Sequence, residues 1–139
     1  AARAALLSHD VARANAALSG LVATGVHSAT VDARRAEIRA GVAALDGHDA
    51  EAHALYRDAL KGHRDTGVEV EAALTAIQMA TLLDPSDPDV RAAADAAREL
   101  FTRLGAVPLL ARLEAAVNRP TDGTGRPRRR SERASASPA

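Results

Sequence analysis

Residues 33–66 read ARRAEIRAGVAALDGHDAEAHALYRDALKGHRDT, and this stretch decides the fold. Apolar side chains recur at spacings of three and four on either side of Asp46-Gly47. The stripe Val31, Ile38, Val42 and Leu45 lies before that pair, and Ala52, Tyr56, Ala59 and Leu60 follow it. This rhythm belongs to amphipathic helices and not to strands, which alternate every second residue. Ser28 or Thr30 can cap the first helix, and Gly67 stands where the second, running from about 49 to 66, needs a left-handed C-terminal residue. Ala40 and Ala52 are small enough for two helix axes to approach closely, and Tyr56 is bulky enough to fill the space to a following element. The stretch reads as a helical hairpin.

The pattern continues outward in both directions. Upstream, Leu7, Val11, Ala14, Leu18, Leu21 and Val22 predict a helix from about 3 to 23, in which Ser8 is able to cap a break near the start. Downstream, a helix over about 68–83 carries Val70, Leu74 and Ile77 on one line and Ala73, Ala76, Ala80 and Leu83 on the next, so its wide apolar arc predicts the most buried element. Asp84-Pro85-Ser86-Asp87-Pro88 then stops one helix and starts another, with Asp87 at the cap and Pro88 in the first turn, where no amide hydrogen bond is lost. That fifth helix runs through Val90, Ala94, Ala97 and Phe101 to Leu104, Gly105 closes it, and a sixth spans about 106–118. Short connections make successive helices antiparallel. The expected fold class is all-α: antiparallel helical hairpins, arranged as a repeat-type α-solenoid or as a small bundle of about six helices.

Composition sharpens this. The chain has 139 residues, and 35 of its apolar residues are alanine, against fifteen Leu, ten Val, two Ile and one each of Phe, Tyr and Met. Such a core suits thin, closely spaced helices. Cysteine is absent, which excludes disulfide frameworks, thiolate catalysis and sulfur-ligated metals. No apolar run approaches the length of a membrane span and no leader-like pattern opens the chain, so a soluble protein with no membrane contact is expected. The formal net charge of zero hides two unlike parts. Residues 1–118 hold 12 basic and 16 acidic side chains, whereas residues 119–139 hold six Arg against Asp122 and Glu132. Rich in Pro, Gly and Ser and almost without apolar bulk, residues 119–139 are expected to be a disordered Arg-rich tail on a helical repeat domain over 1–118.

The hairpin from Ala33 to Thr66 has the length of a tetratricopeptide unit and resembles it at Ala40, Gly47, Ala52, Tyr56 and Ala59. Arg39 and Arg64 stand where that unit usually has Leu and Pro, and Phe101 follows Tyr56 by 45 residues, so the repeat is irregular. A second resemblance rests on Ala97–Val117, ARELFTRLGAVPLLARLEAAV. It is similar to the last repeats of large actinobacterial signalling proteins that join a regulatory ATPase module to tetratricopeptide-like helices, among them LuxR-type transcriptional regulators and nucleotide cyclases. The resemblance covers roughly residues 33–130, with Arg128-Arg129-Arg130 as a linker. It implies a cytoplasmic, non-catalytic interaction or regulatory segment of a bacterial signalling protein. The alternatives it implies are a piece of a LuxR-type regulator without its DNA-binding domain, or the C-terminal array of a nucleotide cyclase or ATPase. A chain that begins without Met fits the expectation that a longer parent exists. GLVATG at 20–25 matches half of a phosphate-binding loop, but Val26 and His27 replace the Lys and Ser/Thr that loop requires.

Candidate sites are few. His48 and His53 sit five apart, which turns them about 140° from each other on a helix, so no metal is expected there. Glu69 and Glu71, or Asp84, Asp87 and Asp89, are grouped carboxylates of the kind used in acid/base work, but Glu69 and Asp87 fall at helix starts, where the dipole favours negative charge, and that accounts for most of them without chemistry. No catalytic residue, cofactor or metal ligand is expected. Tyr56, His63 and Arg64 share one side of a helix and are the candidate partner-binding residues of a groove. The expected partner is a protein or peptide, or an upstream domain of the same parent chain. In the tail, Arg126, Arg128, Arg129, Arg130 and Arg133 offer weak, salt-sensitive, non-specific contact to nucleic acid, and without an interleaved aromatic residue they cannot stack on bases.

Overall fold

A computed structural model describes residues 1–120 of the chain. These residues form seven helices and no strand: α1 (Ala2–Leu7), α2 (Val11–Ala23), α3 (Ala29–Leu45), α4 (Asp49–Asp65), α5 (Glu69–Leu82), α6 (Pro88–Leu104) and α7 (Val107–Val117). The all-α class with antiparallel hairpins is therefore the architecture observed. The helix count differs by one. The single helix expected over 3–23 is broken into α1 and α2, because His9 adopts a left-handed backbone with φ 60° and Asp10 starts a new helix by accepting from the Arg13 backbone N–H at 3.0 Å. Ser8 spends its hydroxyl on the Ala5 carbonyl, at 3.0 Å, and caps no helix start.

The other boundaries follow from residues that impose them. Gly47, Gly67 and Gly105 take φ of 82°, 73° and 66° after α3, α4 and α6, the left-handed exit that a residue with a Cβ adopts at a cost. Asp84 accepts from both the backbone N–H and the hydroxyl of Ser86, which sets the turn between α5 and α6. Pro88 opens α6 at its first position.

Helices adjacent in sequence pack as hairpins, most extensively α3 with α4 and α5 with α6. A second set of contacts ties α3 to α5 and α5 to α7. α5 is central and has eight of its fourteen residues buried, as its wide apolar arc implies. The main core holds Tyr56, Met79, Val90, Phe101 and Leu113, each essentially inaccessible to solvent, set among alanines of α3 to α6. Small residues are what bring the helices together: a Cβ on Gly62 of α4 would lie 2.8 Å from the Ala33 Cβ of α3. α1 packs on α2 and reaches beyond it. It contacts α3 and α5 together and, with Ala5 and Leu6, joins Ala14 and Leu82 in a small separate cluster.

Candidate functional site

Where α1 lies across the seam of α3 and α5, the molecule gathers its densest set of buried polar groups. Glu37 sits in the middle of α3 and is 1% exposed. Arg3 of α1 donates its Nε to Glu37 Oε1 at 2.9 Å and an Nη to Glu71 Oε2, on α5, at 3.0 Å. Arg34, one turn before Glu37 on α3, donates to Glu37 Oε2 at 3.0 Å and to Glu71 Oε2 at 2.6 Å. Two guanidiniums and two carboxylates thus form a closed square across three helices. Burying a charge this deeply is tolerated only when it is paired and hydrogen-bonded, and Glu37 receives a donor on each oxygen. Partial burial pushes the Glu71 carboxyl up, but the Arg3 hydrogen bond and the charges of Arg34 and Arg3 outweigh it and hold it below the usual carboxylate range.

Beneath the square, the Gln78 amide of α5 donates to the Glu37 backbone carbonyl at 3.3 Å and to the Tyr56 hydroxyl of α4 at 2.7 Å. Burial raises the Tyr56 phenol well above its ordinary range, with the Gln78 hydrogen bond acting the other way. His63 of α4 places Nε2 3.5 Å from Glu37 Oε2. Neither of its ring nitrogens has a hydrogen-bond partner among the described residues. Next to these groups α3 carries Gly41, and the absence of a side chain there seats Leu6: a Cβ on Gly41 would come within 2.6 Å of one Leu6 methyl and 2.8 Å of the other. The seam therefore offers an acidic pair at one end and a slot for one aliphatic side chain at the other. Arg3 and Leu6 of α1 occupy both.

The three residues expected to line a groove separate. Tyr56 and His63 are buried, at 0% and 1% exposure, because their side of α4 faces α3 and α5 and not solvent, so neither is presented to a partner. Arg64 is exposed and edges an open cleft of about 250 Å³ between α4, α5 and α6, whose floor is Leu60, Ala73, Ala97 and Leu100. His53 meets Asp87 at 3.0 Å across the α4–α6 boundary and His48 is exposed beside Glu51. No cluster of metal-ligating side chains occurs among the described residues. Arg126, Arg128, Arg129, Arg130 and Arg133 lie outside the described residues, as does the expected tail from Thr121 onward. Arg119 is described, and it donates to the Ala80 carbonyl of α5 at 3.3 Å. No described helix is long and apolar enough to cross a membrane.

Arg3, Arg34, Glu37 and Gln78 have no mark in the apolar rhythm of the sequence, and Glu71 stands out there only as a neighbour of Glu69. One signal was available. Arg3 and Glu37 are 34 residues apart and Arg3 and Glu71 are 68 apart, so a charge recurs at the interval of the hairpin used to infer the repeat. Comparison of the chain with protein-family models, with curated proteins and with solved structures finds no match in any of the three.

Proposed function

We propose that this chain is a non-catalytic helical-hairpin module, tetratricopeptide-like in construction, that binds a protein or peptide partner within a bacterial signalling protein of the cytoplasm. The observation that carries this reading is the α3–α5 seam, in which the buried Glu37 and the partly exposed Glu71 hold an arginine delivered by another helix. Every oxygen of Glu37 is engaged by a guanidinium, an arrangement suited to recognising a cation and unsuited to moving protons. Stacked hairpins give such a seam a rigid frame, as in solenoid proteins generally. The similarity of Ala97–Val117 to the closing repeats of actinobacterial regulators supports the signalling context.

The experiment is selection from a displayed library of helical peptides against the full chain. The reading expects enriched peptides that carry a basic residue and, with the internal competitor removed by Arg3→Ala in both chains, bind the Glu71→Gln chain about tenfold more weakly, a loss matching one charge-assisted hydrogen bond. Circular dichroism of Glu71→Gln checks that the helices persist. Enrichment no greater than on an unrelated helical protein, or equal binding to both chains, overturns it.

A further inference from the structure

We infer that α1 is a resident ligand of the α3–α5 seam, held in cis, and that the partner this seam accepts is a protein helix carrying Arg and Leu at the spacing of Arg3 and Leu6. The inference rests on the binding role proposed above and names the chemistry of the partner.

Four observations converge on it. First, α1 has six residues, too few for a helix to persist in water without docking, so its form is supplied by the surface it lies on. Second, besides packing on α2 it contacts α3 and α5 at once. Third, its two long anchoring side chains stand one turn apart on one face, beside the small buried Ala5. Arg3 spans the two carboxylates at 2.9 and 3.0 Å, and Leu6 is completely buried against the bare backbone of Gly41. Fourth, without Arg3 the receiving seam holds the two carboxylates of Glu37 and Glu71 against one guanidinium, Arg34, with the His63 ring alongside, its Nε2 3.5 Å from Glu37 Oε2. The other groups facing the seam are the uncharged Gln78 and Tyr56. A guanidinium is the matching group, because its planar fork serves two carboxylates simultaneously where an ammonium makes a point contact.

The tether explains how α1 can be resident yet exchangeable. Only Ser8, His9 and Asp10 separate it from α2, and His9 is the one residue other than glycine that the described backbone turns to positive φ. A short link of this kind gives α1 an effective concentration on the order of millimolar. An external helix displaces it when its own affinity for the seam exceeds that threshold, so α1 excludes weak basic peptides and admits a partner with further contacts.

The test uses the full chain labelled with ¹⁵N and an unlabelled, acetylated and amidated peptide of residues 1–9. At peptide concentrations of a few millimolar, chosen to match the tether, the hydrogen-bonded amides of residues 5–8 in the chain should exchange at least about fivefold faster while those of α3 and α5 keep their protection. The same peptide with Arg3→Glu should leave exchange unaltered. In a second arm, a fluorescent copy of the peptide should bind the Arg3→Ala/Leu6→Ala chain at least about tenfold more tightly than the unaltered chain, since the internal competitor is gone. Displacement that ignores the Arg3→Glu change, absence of any displacement, or equal binding to the two chains overturns the inference. Should the double variant lose its helical signal, the exchange arm on the unaltered chain decides alone. Library peptides that need Glu71 but bear no Arg-x-x-Leu pattern, together with a failed displacement, would sink α1 as ligand while leaving the binding module intact; loss of both would sink the two readings together.

Discussion

Glu37 shows how one buried carboxylate can fix three helices. Its side chain has essentially no contact with water, and its two acceptor atoms are committed to Arg3 and Arg34. Replacing it with alanine leaves both guanidiniums to share Glu71. Breaking one side of a fully buried pair costs about 3–5 kcal/mol. Here the arginines retain Glu71 and are 21% and 33% exposed, so Glu37→Ala should destabilise by about 2 kcal/mol or somewhat more on that scale. Urea denaturation reads this directly, and a change under about 0.5 kcal/mol would show that the square is ornamental to stability. Glu71 adds a pH dependence. Its folded carboxyl is held below the unfolded value near 4.3, so its contribution is fully present above that pH and disappears as the pH falls through the folded value. The denaturation midpoint should therefore drop on acidification below about pH 5, and Glu71→Gln should flatten part of that drop. An identical pH profile for both chains would refute the assigned role. None of this was visible from residue types, since a Glu beside Ile38 reads as solvated until a neighbouring helix covers it.

Helix by helix, the sequence was more informative. Gly47, Gly67 and Gly105 end α3, α4 and α6 as their positions imply, and Asp84 to Pro88 punctuates α5 and α6 as expected. The division of α1 from α2 escaped the apolar rhythm, because Leu7 and Val11 keep helical spacing across a backbone that turns at His9. Periodicity reports which face is apolar and says nothing of a local break that preserves phase. Close approach was likewise only partly legible. Ala40 and Ala52 were recognised as small contacts and are both fully buried, while Gly62 attracted no notice although it governs the α3–α4 spacing. Placing alanine at Gly62 brings two opposing influences together. Helix propensity favours it by about 1 kcal/mol. Against that, the new methyl would meet the Ala33 Cβ at 2.8 Å, and Ala33 has no rotamer by which to yield. Overpacking of this kind costs roughly 1–3 kcal/mol, so Gly62→Ala should lower the melting temperature despite its better propensity. A raised melting temperature would mean that α4 slides on α3 with little resistance.

At the scale of the molecule, burial is divided unequally, and the division predicts how the protein opens. The large cluster runs through α3 to α7, whereas Ala5, Leu6, Ala14 and Leu82 form a second one of only four buried residues. α2 contributes a single buried residue, Ala14, and leaves Val22 about half exposed. Regions with few buried apolar contacts open at free energies below that of global unfolding. Amides of α1 and α2 should thus exchange through a partial opening that leaves α5 and α6 closed. Leu6→Ala costs about 2–5 kcal/mol, as large-to-small changes at buried leucines do, and because Leu6 is released in the partial opening and in global unfolding alike, protection should decrease by similar amounts in α1, α2, α5 and α6. Phe101→Ala, which empties the main core at a cost of about 3–5 kcal/mol, should instead lower protection in α5 and α6 and leave α1 and α2 nearly unchanged, since the partial opening keeps Phe101 packed. Native-state hydrogen exchange at low denaturant separates the two cases. If Phe101→Ala reduced the protection of α1 and α2 as much as that of α5 and α6, the seven helices would open as a single cooperative unit, and α1 would be an integral wall of the core and no removable occupant of its seam.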